Sequence, residues 1–145
     1  YFRPRIPTRT FRWNKDSARY EFSRLFANTH NYTNFIGGDH PMVRIESDVN
    51  DKKILVIKDS YGNAVMPFLA LHYGTVYVMD YRYFDVNVRN FVLKNGINAI
   101  MFLNNTFAAN AKFTAWRGRY LLNLRSSAKP RPLPADTAAS STTRK

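Results

Sequence analysis

The residues whose types and setting suit chemistry are Asp59 and Ser60, which follow the apolar run "KILVIK" and lead straight into "YGNAVMPFLAL". A serine on a strand-to-helix turn presents its hydroxyl to solvent. Backbone N–H groups at the start of the following helix are then placed to stabilise a developing oxyanion, an arrangement that suits acyl transfer. Gly62 allows close backbone approach, and Asn63 has a side-chain amide that fits either an oxyanion or a helix cap. Asp, Ser and Asn ahead of a helix are also ordinary caps, so the local pattern leaves both roles open.

An activated serine needs a base, normally a histidine oriented by a carboxylate. The chain offers His30, His40 and His72. His72 falls at the far end of the helix that Ser60 introduces, which sets it well away from the hydroxyl. His40 has Asp39 beside it in "GGDHP", but adjacent side chains of an extended segment point opposite ways, so Asp39 is poorly placed to orient it. His30 has less to recommend it. These residues amount to a nucleophile without its base. With no cysteine, a disulfide framework, a thiol nucleophile and thiolate metal sites are excluded. No metal-ligand cluster is visible, and "KDSYGNA" has neither the dinucleotide fingerprint nor the Lys-Ser/Thr ending of a phosphate loop, so neither metal nor cofactor is expected.

The elements that must hold Ser60 are legible from residue 53 onward. The pattern predicts a strand over Lys53 to Ile57, a helix from about Asn63 to Leu71, a strand over Thr75 to Met79, a helix from about Val86 to Lys94, and a strand over Ile97 to Leu103. "ILVI", "VYVM" and "AIMFL" are continuous apolar runs, which predicts burial on both faces of a parallel sheet covered by helices. Gly74 and Gly96 fall where the two helices should stop. Upstream, Met42 to Ile45 reads as a short strand, and the alternation in "RTFRWNKDSARYEFSRLF" fits a hairpin turning at Asn14 to Ser17. The stretch after Asn104 reads as a last helix, or as a helix plus a strand.

The net charge of +12 is concentrated at the ends. Residues 1–24 carry seven Lys/Arg against two acids, and residues 125–145 carry five against one. No nucleic-acid motif accompanies this charge, so no specific nucleic-acid partner is expected. The expected organisation is a basic N-terminal segment over 1–34, an α/β domain over 35–124 and a disordered Pro/Ala/Ser/Thr tail over 125–145. No secretory leader or membrane span is recognisable in the stretch given.

Across "GGDHPMVRI", "VIKDSYGNAVMPFL", "VYVMDYRYF" and "NVRNFVLKNGINAIMFLNN", the sequence resembles the DHHW family, bacterial proteins related to SGNH hydrolases and to the acetyltransferase-like proteins of alginate export. The resemblance implies a three-layer α/β/α domain with a mainly parallel sheet, in which Ser60 holds the nucleophile position. It also implies that the Asp-His base motif lies upstream of the serine. Asp-His-His-Trp does not occur here, so the resemblance implies the C-terminal part of a longer protein or a member that has lost catalysis.

The implied function is esterase or O-acyltransferase action on a bacterial cell-surface polysaccharide, in the extracellular or cell-envelope compartment. The chain alone is expected to be inactive. Asp59, Gly62 and Asn63 would support the oxyanion, while Tyr81, Arg82, Tyr83 and Asn104, on the same rim, would bind substrate. The competing expectation is a noncatalytic carbohydrate-binding or scaffold module using the same cleft.

Overall fold

The computed structural model describes residues 7–84 and 86–123; the tail expected to be disordered, 125–145, lies outside them. Six strands form one sheet: β1 (Thr8–Asn14), β2 (Arg19–Ser23), β3 (Met42–Ser47), β4 (Lys53–Lys58), β5 (Thr75–Asp80) and β6 (Ala99–Leu103). Their order is β2-β1-β3-β5-β4-β6. β4 pairs in parallel with both β5 and β6, whereas β1 with β2, β1 with β3, and β3 with β5 are antiparallel. The sheet is therefore mixed and not mainly parallel. The parallel part is confined to the three apolar runs joined by crossovers, while β1 and β2 are joined by a tight turn that permits only antiparallel pairing.

The α-helices of the described residues are α1 (Met66–Leu69), α2 (Val88–Asn95), α3 (Thr106–Asn110) and α4 (Lys112–Asn123). After β4 the chain does not enter an α-helix at Asn63. It makes a 3₁₀ turn over Ser60–Val65 and only then the short α1. Pro67 accounts for this: it has no N–H to give the Asn63 carbonyl in an α pattern, and that carbonyl accepts from Met66 instead.

Gly96 ends α2 in the left-handed conformation, φ 63°. Gly74 is glycine for another reason. A Cβ there would stand 1.6 Å from the Asn50 carbonyl oxygen, so only a bare Cα lets the Asn50 loop close over the start of β5.

Alternation along the strands divides the core in two. Val43, Ile45, Ile54, Val56, Val76 and Val78 pack with Ile36 and Met66, while Met42, Leu55, Ile57, Tyr77 and Met79 pack with Val88 and Leu121. "ILVI" and "VYVM" are thus buried through both faces. β6 departs from expectation: Ala99, Met101 and Leu103 pack against the first cluster, but Ile100 and Phe102 remain 45% and 51% exposed. As an edge strand it is covered on one side only.

Candidate functional site

Ser60 sits directly beyond the end of β4, in the centre of the parallel part of the sheet. Its turn is tied down by Asp59, which is 3% exposed. Asp59 Oδ1 accepts from the Tyr61 N–H at 3.0 Å. Its Oδ2 accepts from the Asn105 backbone N–H at 2.8 Å and from Asn105 Nδ2 at 3.0 Å. One carboxylate therefore caps the 3₁₀ turn and anchors the loop leaving β6. Asp59 acts as support for the turn, and Asn105 is its second partner. The Asn104 side chain has a buried Oδ1 with no hydrogen-bond partner among the described residues.

Beneath the turn lies a buried charge cluster. Lys58 is fully buried, its Nζ 3.2 Å from Asp80 Oδ2 and 3.4 Å from Asp39 Oδ1. Parallel register sets Lys58 beside Asp80. Arg82 reaches Asp80 through Nε at 2.9 Å and Nη2 at 2.7 Å, and Asp39 Oδ2 through Nη2 at 2.9 Å. Asn63, 1% exposed, donates Nδ2 to Asp39 Oδ1 at 3.0 Å. Two cations and two carboxylates thus satisfy one another in a place where an unpaired charge would be very costly. Asp39 is desolvated, which raises its pKa, but Lys58 and the hydrogen bonds from Asn63 and Arg82 outweigh this and hold it below the usual carboxylate range. The hydrogen bonds and charge of Asp80, with those of Asp39, push the Arg82 guanidinium up, so it is permanently charged.

This cluster redirects several candidate residues. Arg82 is committed to Asp39 and Asp80, and its guanidinium also lies 5.0 Å from the centre of the Tyr83 ring. Tyr81 is 5% exposed, with Arg117 Nε donating to its carbonyl at 2.7 Å. Tyr83 is 47% exposed. Asn63 gives its amide to Asp39 and not to the cleft, and the Gly62 N–H donates to the Asp59 carbonyl at 3.1 Å. With the Tyr61 and Gly62 amides occupied, the Ser60 N–H is an amide of this turn without a partner among the described residues.

Ser60 itself is half-buried and lines an open cleft of about 390 Å³ together with Tyr32 and Tyr61. Among the described residues, none hydrogen-bonds to its hydroxyl. His72 and His30 are exposed; the imidazole of His40 stands against Gly37, where an added Cβ would lie 3.2 Å from Nε2. Burial, then the positive charges of Arg12 and Lys58, lower the His40 pKa. Among the described residues no group of three or more His, Cys, Asp or Glu is arranged to hold a metal, and no helix is long and apolar enough to cross a membrane.

Lys58, Asp80, Tyr32 and Tyr61 are among the site residues that sequence reasoning missed. For the first two a signal existed: adjacent parallel strands that end in charges of opposite sign. Tyr32 arrives from a distant 3₁₀ turn, Tyr32–Asn34, with no local mark.

The sequence profile described as DHHW protein matches residues 16–79, which include β2, β3, β4, β5 up to Met79 and the whole Asp-Ser turn. A crystal structure of a DHHW family protein from Eubacterium siraeum superposes with a TM-score of 0.69 at 28% identity, over 82% of this chain and 42% of that one. Over this stretch the chain is similar to the DHHW family. Two structures of PatB1 from Bacillus cereus share the fold of this chain: one at TM-score 0.62 and 22% identity, over 79% of this chain and 41% of that one. The other, described with a sulfonyl adduct, gives 0.57 and 23%, over 72% and 40%. The chain thus spans less than half the length of these solved relatives. No curated protein matches it.

Proposed function

We propose that this chain carries the nucleophile and one wall of an esterase or O-acyltransferase site acting on O-acyl groups of a bacterial cell-surface polysaccharide, with Ser60 as the nucleophile. The observation that carries the reading is the Ser60 hydroxyl, unengaged among the described residues and opening into the cleft from a turn tied down by the Asp59 carboxylate and by the Asn63 amide. A buried framework that fixes the backbone and leaves one hydroxyl facing the cleft is what positioning for reaction requires.

In the proposed step the Ser60 oxygen attacks the ester carbonyl. Its proton passes to a base outside this chain, and the Ser60 N–H, with a further donor, stabilises the oxyanion. Collapse releases the alcohol, which takes the proton. Water or an acceptor hydroxyl then removes the acyl group from the serine by the reverse sequence. In the whole protein the sheet would be completed into a three-layer sandwich, and the site would lie in the cell envelope. Acetyl-ester hydrolysis by the full-length protein and its Ser60→Ala variant tests this: loss of turnover is expected, and equal rates would remove Ser60 from the mechanism.

A noncatalytic glycan-binding role is the second reading. It is favoured by one observation: no histidine among the described residues bonds to Ser60. Glycan binding by the full-length protein with no esterase or transferase turnover would select it.

A further inference from the structure

The residues that share the cleft with Ser60 are two tyrosines. Tyr32 is 55% exposed and Tyr61 is 74% exposed, although each stands on a well-held backbone. Asn31 Oδ1 accepts from the Thr33 N–H at 3.0 Å and from Thr33 Oγ1 at 2.6 Å, and Ala27 and Asn34 are joined by a 2.8 Å backbone bond, so the loop bearing Tyr32 is fixed. Tyr61 is fixed by the Asp59 cap. Large apolar rings left in water on rigid supports, beside a reactive hydroxyl, are built for contact with something that arrives from solution.

The chemistry of the cleft narrows the visitor. The cations nearest the turn, Lys58 and Arg82, are neutralised by Asp39 and Asp80, so neither offers a handle for an anion. The cleft is open, which suits a group that keeps one side in water and does not suit a long acyl chain needing enclosure on every side. A sugar ring fits both conditions: its C–H face packs on an aromatic face, and its hydroxyl rim stays hydrated or bonds to a phenol. We propose that Tyr32 and Tyr61 form the saccharide-binding walls of the Ser60 cleft and hold the sugar ring that bears the acyl group, a role that Arg82 and the buried Tyr81 do not fill. This deepens, and rests on, the polysaccharide reading above.

The test compares Tyr32→Ala, Tyr61→Ala and the corresponding Phe variants of the full-length protein on p-nitrophenyl acetate, which has no sugar, and on O-acetylated xylotetraose and chitotetraose. Both rings are exposed, so unchanged melting temperatures are expected. Each Ala variant should raise KM for an acetylated oligosaccharide about tenfold, the effect of one aromatic contact of ordinary strength. The loss in kcat/KM should be larger on the acetylated oligosaccharides than on p-nitrophenyl acetate, and the Phe variants should behave as wild type. Equal losses on both classes of substrate, no change on either, or Phe variants as impaired as Ala would overturn the assignment. Ser60→Ala separates the two claims. If it still turns over both substrates, acyl transfer at Ser60 falls, and the tyrosines are judged by calorimetric binding of the same oligosaccharides. Weakening of about tenfold in the Ala variants then sustains them, and unchanged or undetectable binding overturns them.

Discussion

Lys58 and Asp80, the last residues of two adjacent parallel strands, form an ion pair with neither side chain exposed to solvent, Nζ to Oδ2 3.2 Å. Ser60 stands two residues beyond one of these strand ends and Arg82 two beyond the other. The loop bearing the nucleophile candidate is thus keyed to the loop after β5 by electrostatics that cannot relax into water.

Removing one partner should therefore be expensive. Lys58→Met is expected to lower stability by about 3 kcal/mol or more, because Asp80 and Asp39 lose their buried cation and keep only Arg82. In a denaturant series with Asp80→Asn and the double variant, the two effects should fail to add by about 0.5–3 kcal/mol. Strict additivity would mean the two groups are independent.

Two glycines are expected to respond differently to a single methyl group. In Gly62→Ala the new Cβ would stand 2.8 Å from Lys58 Cβ and 3.4 Å from Leu103 Cδ2, so the lysine stem must shift, at a cost of about 1–3 kcal/mol. In Gly74→Ala the obstacle is the Asn50 carbonyl, and the loop before β4 has to open. Thermal melts should rank Gly74→Ala as the more damaging; the reverse order would contradict the close approach at Asn50.

How much of this was open to a sequence reader follows from the range of the forces involved. "ILVI" and "VYVM" announced central strands because burial on both faces leaves a continuous apolar run. "AIMFL" gave the same signal and still became an edge strand with Ile100 and Phe102 uncovered, since composition does not reveal how many neighbours a strand will have. The turn at Ser60 was readable from Asp-Ser-Tyr-Gly, although of these four residues Tyr61 alone is exposed. Asp39 was legible only as a neighbour of His40, whereas its partners, Lys58, Asn63 and Arg82, come from three other segments. Tyr32 was invisible for the same reason: long-range packing, and no periodicity, brings it to Ser60.

Acid should loosen the fold in two stages. His40 has a lowered pKa, so the unfolded chain takes up that proton first. Its contribution is complete above the free-histidine value, about 6.5, and is lost as pH falls through the folded value. Asp39 follows the same sign further down: its contribution is complete above the ordinary carboxylate value and is lost as pH falls through the depressed one. Melting temperature measured from pH 8 to pH 3 should fall in both windows. The upper fall should flatten in His40→Gln and the lower in Asp39→Asn; a profile identical to wild type in either variant would show that the group is not perturbed.

The central claim, that the Ser60 oxygen is held into the cleft as a nucleophile, is tested most directly by treating the full-length protein with a small sulfonyl fluoride and locating the modified residue by peptide mass spectrometry. The expected result is a single sulfonyl adduct on the peptide containing Ser60, absent in Ser60→Ala and accompanied by loss of ester hydrolysis. Hydrolysis that persists with Ser60 unmodified, or a stoichiometric adduct on another residue that abolishes it, would contradict the account.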